Sequence, residues 1–171
     1  MIRLSVVATA KVKPDARPYT GTSDGIAKAR RAGMDEWIKQ AIAASDNTLN
    51  NLGSYMVRDQ KGHKGVLSAH STGRAVDLGF TNRKAALKFI NTVARNANEL
   101  GVECILDYFP RPFGRGWRCD RQRWKRYVKR TIAGAPGGRW AHFEITPQAA
   151  DSVIFVKAAF LKVFGEIPPK A

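Results

Sequence analysis

The chain has only three histidines, and two of them stand where they could do chemistry. In the stretch Leu67-Ser68-Ala69-His70-Ser71-Thr72-Gly73-Arg74-Ala75-Val76-Asp77-Leu78-Gly79, His70 precedes Asp77 by seven residues. On a helix the two would share a face. Gly73 and the β-prone run Ala75–Leu78 argue instead for a turn that leads into a strand. Such a turn can bring His70 back beside a strand residue such as Asp77. Further on, Trp140-Ala141-His142-Phe143-Glu144-Ile145 reads as a strand. There His142 and Glu144 fall on one side of the pleat, about 6–7 Å apart. Two histidines and a carboxylate are the donor set of a catalytic zinc, with three protein ligands and a fourth position for water. Zinc in such a site brings the pKa of its water to about 7 and polarises a carbonyl. Spacing alone leaves a second reading open, in which the histidines are hydrogen-bonded structural residues.

Ser68, His70, Gly73, Ala75 and Asp77 together spell Ser-x-His-x-x-Gly-x-Ala-x-Asp. This resembles the zinc peptidases that cut the stem peptides of peptidoglycan. These are the D-alanyl-D-alanine carboxypeptidases and the L-alanyl-D-glutamate endopeptidases of phage lysins. They belong to a wider group that includes lysostaphin-like enzymes and hedgehog signalling domains. The resemblance spans roughly Leu52 to Ile145 and implies that His70 and Asp77 are zinc ligands. A late-strand histidine completes the set in that family, often as His-Phe-Glu, which His142-Phe143-Glu144 matches. It implies a substrate-holding role for Ser68, whose alternative is a turn-capping hydroxyl. It implies the same for Arg58, a side chain suited to a carboxylate and equally able to be solvated.

The chain departs from the family at the catalytic helper. Members usually carry an acid three residues before the last ligand, where this chain has Arg139, or a histidine two before, where it has Trp140. Guanidinium stays protonated and indole is only a donor, so neither can act as base. Glu144 is then the nearest carboxylate to His142, with Asp107, Glu103 and Asp120 as alternates. His63 lies in a Gly/Lys loop and reads as surface.

The elements that must hold these residues can be drawn from pattern. Leu4–Ala10 reads as a first strand and 11–25 as a loop. Ser23 or Asp24 can cap a helix running to Ala44, with Met34, Trp37, Ile38 and Ala41 on its apolar stripe. Asn47–Gly53 is turn-rich, Ser54–Arg58 a short strand, Asp59–Gly65 a loop and Arg74–Phe80 a strand. A helix opens at Thr81 or Asn82 and stops at Gly101. Val102–Leu106 is a buried strand, 107–139 irregular, and Trp140–Ile145 the last strand. Thr146–Pro147 opens a C-terminal helix. Strands and helices mix without a βαβ rhythm, which gives an α+β fold in one domain over 1–171. The resemblance adds a small antiparallel sheet with helices packed on it.

Composition is that of a globular chain: 44% hydrophobic and 25% charged, over 171 residues. Disordered, collagenous and low-complexity classes are excluded. The charge is lopsided, with 29 Lys and Arg against 14 Asp and Glu for a net +15. A field of that sign favours polyanionic partners. Between Arg111 and Arg130 nine basic residues meet one acid, with Phe113, Trp117, Trp124 and Tyr127 interleaved. Arg121–Arg130 reads as a short basic helix. The patch suits a solvated face or, equally, anionic cell-wall polymer, with nucleic acid behind both. Cys104 and Cys119 are too few for a disulfide framework; two free thiols are expected. No apolar run reaches the roughly 20 residues of a membrane helix. Lys11 and Lys13 interrupt any secretory core, so synthesis in the cytoplasm without a signal peptide is expected. The resemblance implies a monomer acting on the cell wall.

Overall fold

Alternation along Trp140–Ile145 sorts its side chains to two sides, and the molecule is arranged around that split. The computed structural model describes residues 16–130 and 137–166. In chain order, the described residues form α1 (Ala32–Ala44), β1 (Leu49–Gly53), β2 (Asp59–Gln60), β3 (His63–Leu67) and β4 (Ala75–Phe80). Then come α2 (Arg83–Arg95), β5 (Val102–Asp107), β6 (Arg115–Arg118), β7 (Arg123–Arg126), β8 (Trp140–Ile145), α3 (Pro147–Asp151) and α4 (Val153–Phe164). Six strands make one antiparallel sheet in the order β1-β4-β8-β5-β6-β7, and β2 and β3 form a separate hairpin. The fold is α+β, as expected.

Ala141, Phe143 and Ile145 of β8 and Val76, Leu78 and Phe80 of β4 point to the helix side of the sheet, where the core lies. Phe143 is fully buried, with its ring centroid 5.4 Å from that of Trp37 on α1. Trp37 in turn meets Phe160 of α4 edge-on at 5.7 Å. Truncating an aromatic side chain so buried costs about 3–5 kcal/mol. This layer fixes the register of β4 and β8, and so fixes what their opposite face presents.

That opposite face carries Asp77, His142 and Glu144. Asp77 lies directly across from His142 in the β4–β8 ladder. The face is flanked by the loop 16–31 on one side and by the β2–β3 hairpin on the other. A buried arginine anchors the loop. Arg74, 1% exposed, bonds Asp24, Glu103, the Ile145 carbonyl and the Gly21 carbonyl. Arg31 adds ion pairs with Asp24 and Asp151, tying the same loop to α3.

Several local expectations need correction. The first helix starts at Ala32 and not at Ser23 or Asp24. Asp24 spends its carboxylate on Arg74 and Arg31 instead of capping, and Gly25 has φ +70°. Leu49–Gly53, read as turn, is an edge strand paired with β4, while Ser54–Arg58 is an extended connection outside any ladder. Edge pairing overrides weak propensity there, since only Leu49 of that strand is buried. Asp59–Gly65 is not open loop but contributes to the β2–β3 hairpin. The segment 107–139 is not wholly irregular: it holds β6 and β7. The basic helix over Arg121–Arg130 is not formed, because Arg123–Arg126 pairs with β6, with Trp117 facing Trp124. The C-terminal helix is broken into α3 and α4 at Ser152, whose side chain caps α4. The strand read at Leu4–Ala10 lies outside the described residues. Cys104 and Cys119 are both buried and free. Among the described residues no helix is long and apolar enough to cross a membrane.

A candidate metal centre

The motif folds as its residue types require. Ser68 accepts a hydrogen bond from the His70 amide at 3.4 Å and so caps a single 3₁₀ turn, Ala69–Thr72. Gly73 closes the turn at φ +69°, a left-handed conformation that glycine adopts without penalty. The chain then enters β4. The turn folds His70 back over the strand, so that its Nε2 lies 3.3 Å from Asp77 Oδ2. From β8, His142 presents Nδ1 to Asp77 Oδ1 at 2.8 Å. The two imidazole rings stand 5.0 Å apart, nearly edge to face.

The outward-facing nitrogens are also engaged. His70 Nδ1 donates to the Ser54 carbonyl at 2.5 Å. His142 Nε2 lies 3.0 Å from Glu144 Oε1, and Glu144 Oε2 accepts from the Tyr19 hydroxyl at 2.5 Å. A metal-ligating histidine typically donates its other ring N–H to a carbonyl or carboxylate, which fixes tautomer and orientation. Both histidines have such a partner, and the nitrogens left over converge on Asp77. One ligand atom from each of His70, Asp77 and His142 can be chosen so that all lie within 4.8 Å of one another. Tetrahedral bonds of about 2.0–2.1 Å place ligand atoms roughly 3.3 Å apart. The 2.8 and 3.3 Å contacts are already at that scale. The group could hold a metal ion.

Electrostatics suit a cation. Burial alone would raise Asp77, but hydrogen bonds from His142 and His70 outweigh it and hold the carboxyl far below its usual range. Burial likewise lowers His142, yet its hydrogen bonds to Asp77 and Glu144 prevail and lift it to about 9. Without a metal, a proton on His142 supplies the positive charge that two carboxylates demand. Glu144 is depressed by His142 and Tyr19 against the pull of burial. Tyr19 is pushed up, first by burial and then by the Glu144 charge, and stays a donor.

The group lies at the floor of an open cleft of about 460 Å³. Tyr19, Gly21 and Thr22 of the loop form one wall, Gln60 and Lys61 of the hairpin another, and Leu106 and Trp140 the rest. Arg58 and Ser68 line the same cleft. Arg58 is exposed, on the connection between β1 and β2, whereas Ser68 is buried and occupied in capping. Glu144 is buried beside His142, 7% exposed.

The alternate acids are held elsewhere. Asp107, fully buried, is gripped by Arg83 and Arg115; Glu103 by Arg74 and Arg17; Asp120 by Arg118. None of the three lines the cleft, which leaves Glu144 as its carboxylate besides Asp77 among the described residues. His63 is exposed on β3. Sequence patterns missed Tyr19, the Ser54 carbonyl and the anchoring part of Arg74. Only Arg74 carried a signal, as a charged residue inside the motif at an undefined position. Comparison with family models, curated proteins and solved structures returns no match.

Proposed function

We propose that the chain is a zinc-dependent peptidoglycan peptidase of the phage-lysin or wall-remodelling kind, hydrolysing an amide bond of a stem peptide. Its fold would be that of the carboxypeptidase, lysostaphin-like and hedgehog group. The observation that supports this best is the convergence of His70 Nε2, Asp77 and His142 Nδ1 at the floor of an open cleft, with each histidine oriented by a partner on its other nitrogen. Zinc held by His70, Asp77 and His142 would supply Lewis acidity toward a carbonyl and a water of lowered pKa. Glu144, kept ionised on the far nitrogen of His142, would take up a proton from the site through an intervening water and return it to the departing amine. Each of its oxygens has a second lone pair beyond the bonds to His142 and Tyr19. Arg58 and Lys61, at the rim, hold carboxylates of the stem, and Trp140 packs against its aliphatic part. The protein would be made in the cytoplasm and act at the wall, released or carried on a virion.

Arg139 and Trp140, where relatives carry a helper, favour a second reading. Arg139 donates to the Thr81 carbonyl and Trp140 packs at a tilt against Tyr108, ring centroids 4.2 Å apart, so neither offers a base. The alternative is a non-catalytic domain of this fold that binds wall or nucleic acid through its basic face. Hydrolysis of purified walls by the zinc-loaded protein, its loss with chelator and its return with zinc separate the two. Bound zinc without hydrolysis of several wall types would overturn the peptidase reading.

A further inference from the structure

The sheet face that carries the metal-ligand group does not end at the cleft. Directly opposed residues of an antiparallel ladder point to the same face. His142 opposes Leu106, Leu106 opposes Gly116, and Gly116 opposes Lys125. One pair further along, Glu144 opposes Cys104, then Arg118, then Arg123. Two contacts agree with this register. The Arg118 guanidinium sits 4.6 Å from the Tyr19 ring, whose hydroxyl is on Glu144, and the Tyr127 hydroxyl lies against Gly116. At strand spacings near 4.8 Å, β7 lies about 14 Å from β8. Arg121 lies over the same strands, donating to the Gly116 and Arg123 carbonyls.

Arg123, Lys125 and Arg126 are exposed on the last strand of the sheet, and none belongs to an ion pair among the described residues. The single acid of the hairpin, Asp120, is taken by Arg118. We infer that Arg118, Arg121, Arg123 and Lys125 form a cationic track leading out of the cleft, and that it holds a phosphodiester-linked polymer of the cell wall. The identity of the polymer rests on the wall-peptidase reading; the track rests on the register. Nucleic acid fits less well. Single strands need open aromatic faces for stacking, yet Trp117 is 3% exposed and Trp124 is covered by the Arg115 guanidinium at 4.0 Å.

The test is sedimentation of chelator-treated protein with walls that retain their phosphodiester polymer and with the same walls stripped by hydrofluoric acid. Binding is expected to intact walls, to be at least about tenfold weaker on stripped ones, and to weaken steeply with salt. R123E/K125E should bind intact walls at least about tenfold more weakly, since it turns two cations of the track into anions. The milder R123Q/K125Q should fall between. K84E/K88E makes the same charge change on exposed positions of α2, on the helix side, and should bind normally. Melting curves check that each variant folds. Equal loss in both charge-reversal variants, no loss in R123E/K125E, or equal binding to stripped walls would overturn the track. Preference for a single-stranded DNA oligonucleotide over intact walls would overturn the polymer. Because binding is read without metal, walls that are bound and never cut would sink the peptidase reading alone. A soluble stem peptide cut by protein that ignores walls would sink the track alone.

Discussion

Replacing Glu144 by Gln isolates the carboxylate charge with little change of shape. The wild-type group is 7% exposed and makes two bonds, at 3.0 Å to His142 Nε2 and 2.5 Å to the Tyr19 hydroxyl. Two separable losses follow from that geometry. As the partner of a ligand histidine, the carboxylate raises ligand basicity, and its neutralisation should weaken zinc binding about 10–100-fold. As the acceptor of the proton from the attacking water, it should contribute about 10²–10⁴ in rate. With zinc supplied well above the weakened Kd, only the second loss remains. Turnover of a stem peptide by E144Q should then be at least about a hundredfold below wild type, equivalent to about 2.7 kcal/mol. The assay pairs a competitive zinc titration with steady-state hydrolysis at saturating metal. Near-normal turnover there would refute the assignment of Glu144 as base. Asp107, Glu103 and Asp120 could not easily replace it, since each is bound by arginine away from the cleft.

Elemental analysis of H70A/H142A should find no zinc, and full occupancy would show that the metal lies elsewhere. R74M removes a guanidinium that is 1% exposed and leaves Glu103, also 1% exposed, with a 3.6 Å ion pair to Arg17 and a 2.7 Å hydrogen bond from the Thr20 hydroxyl. Breaking a buried pair costs about 3–5 kcal/mol. Urea unfolding should show that loss, and a change below about 1 kcal/mol would mean the loop 16–31 does not depend on Arg74. In chelated protein, His142 sits at about 9 against 6.5 for the free side chain. A raised pKa stabilises fully below the lower value, so melting temperature should hold to about pH 6.5 and fall toward pH 9. Asp77 and Glu144 are depressed, so their contribution is lost on the acid side, as pH drops below the usual carboxylate range. A melting temperature that rises from pH 6.5 to 9 without metal would contradict the hydrogen bonds drawn around His142.

What could be read ahead of the structure divides by the range of the interactions responsible. Strands β4, β5 and β8 and the start of helix α2 follow from local periodicity, because a face buried against one continuous core must alternate or repeat; the helix ends at Arg95 and not at Gly101. The grouping of His70, Asp77 and His142 is anticipated by the motif's resemblance to the zinc peptidases, and Gly73 marks the turn that folds the first of them back. Tyr19 was not legible: it is 125 residues from the Glu144 it bonds, inside a Pro/Gly loop with no periodicity. Local pattern starts the first helix too early for a related reason. Asp24 looks like a cap in isolation, but Arg74, 50 residues on, and Arg31 both claim its carboxylate. Charge patterning reads the basic hairpin as a helix because its facing pair, Trp117 and Trp124, spans a turn that such patterning does not mark.

Arg74 joins these two ranges. It occupies an undefined position of the motif, between the glycine that turns His70 back and the strand that carries Asp77. Its guanidinium reaches the Gly21 and Ile145 carbonyls, Asp24 and Glu103. One side chain therefore ties the end of β8, three residues after His142 and one after Glu144, to the loop that brings Tyr19 over Glu144. Burying a charge this fully is expensive unless every donor is met, and here its bonds join the β8 strand that carries His142 to the loop that braces Glu144. The cleft wall and the metal group are on this account one unit, so loosening the loop should disturb the orientation of His142 through Tyr19 and Glu144 before it disturbs the core on the other side of the sheet.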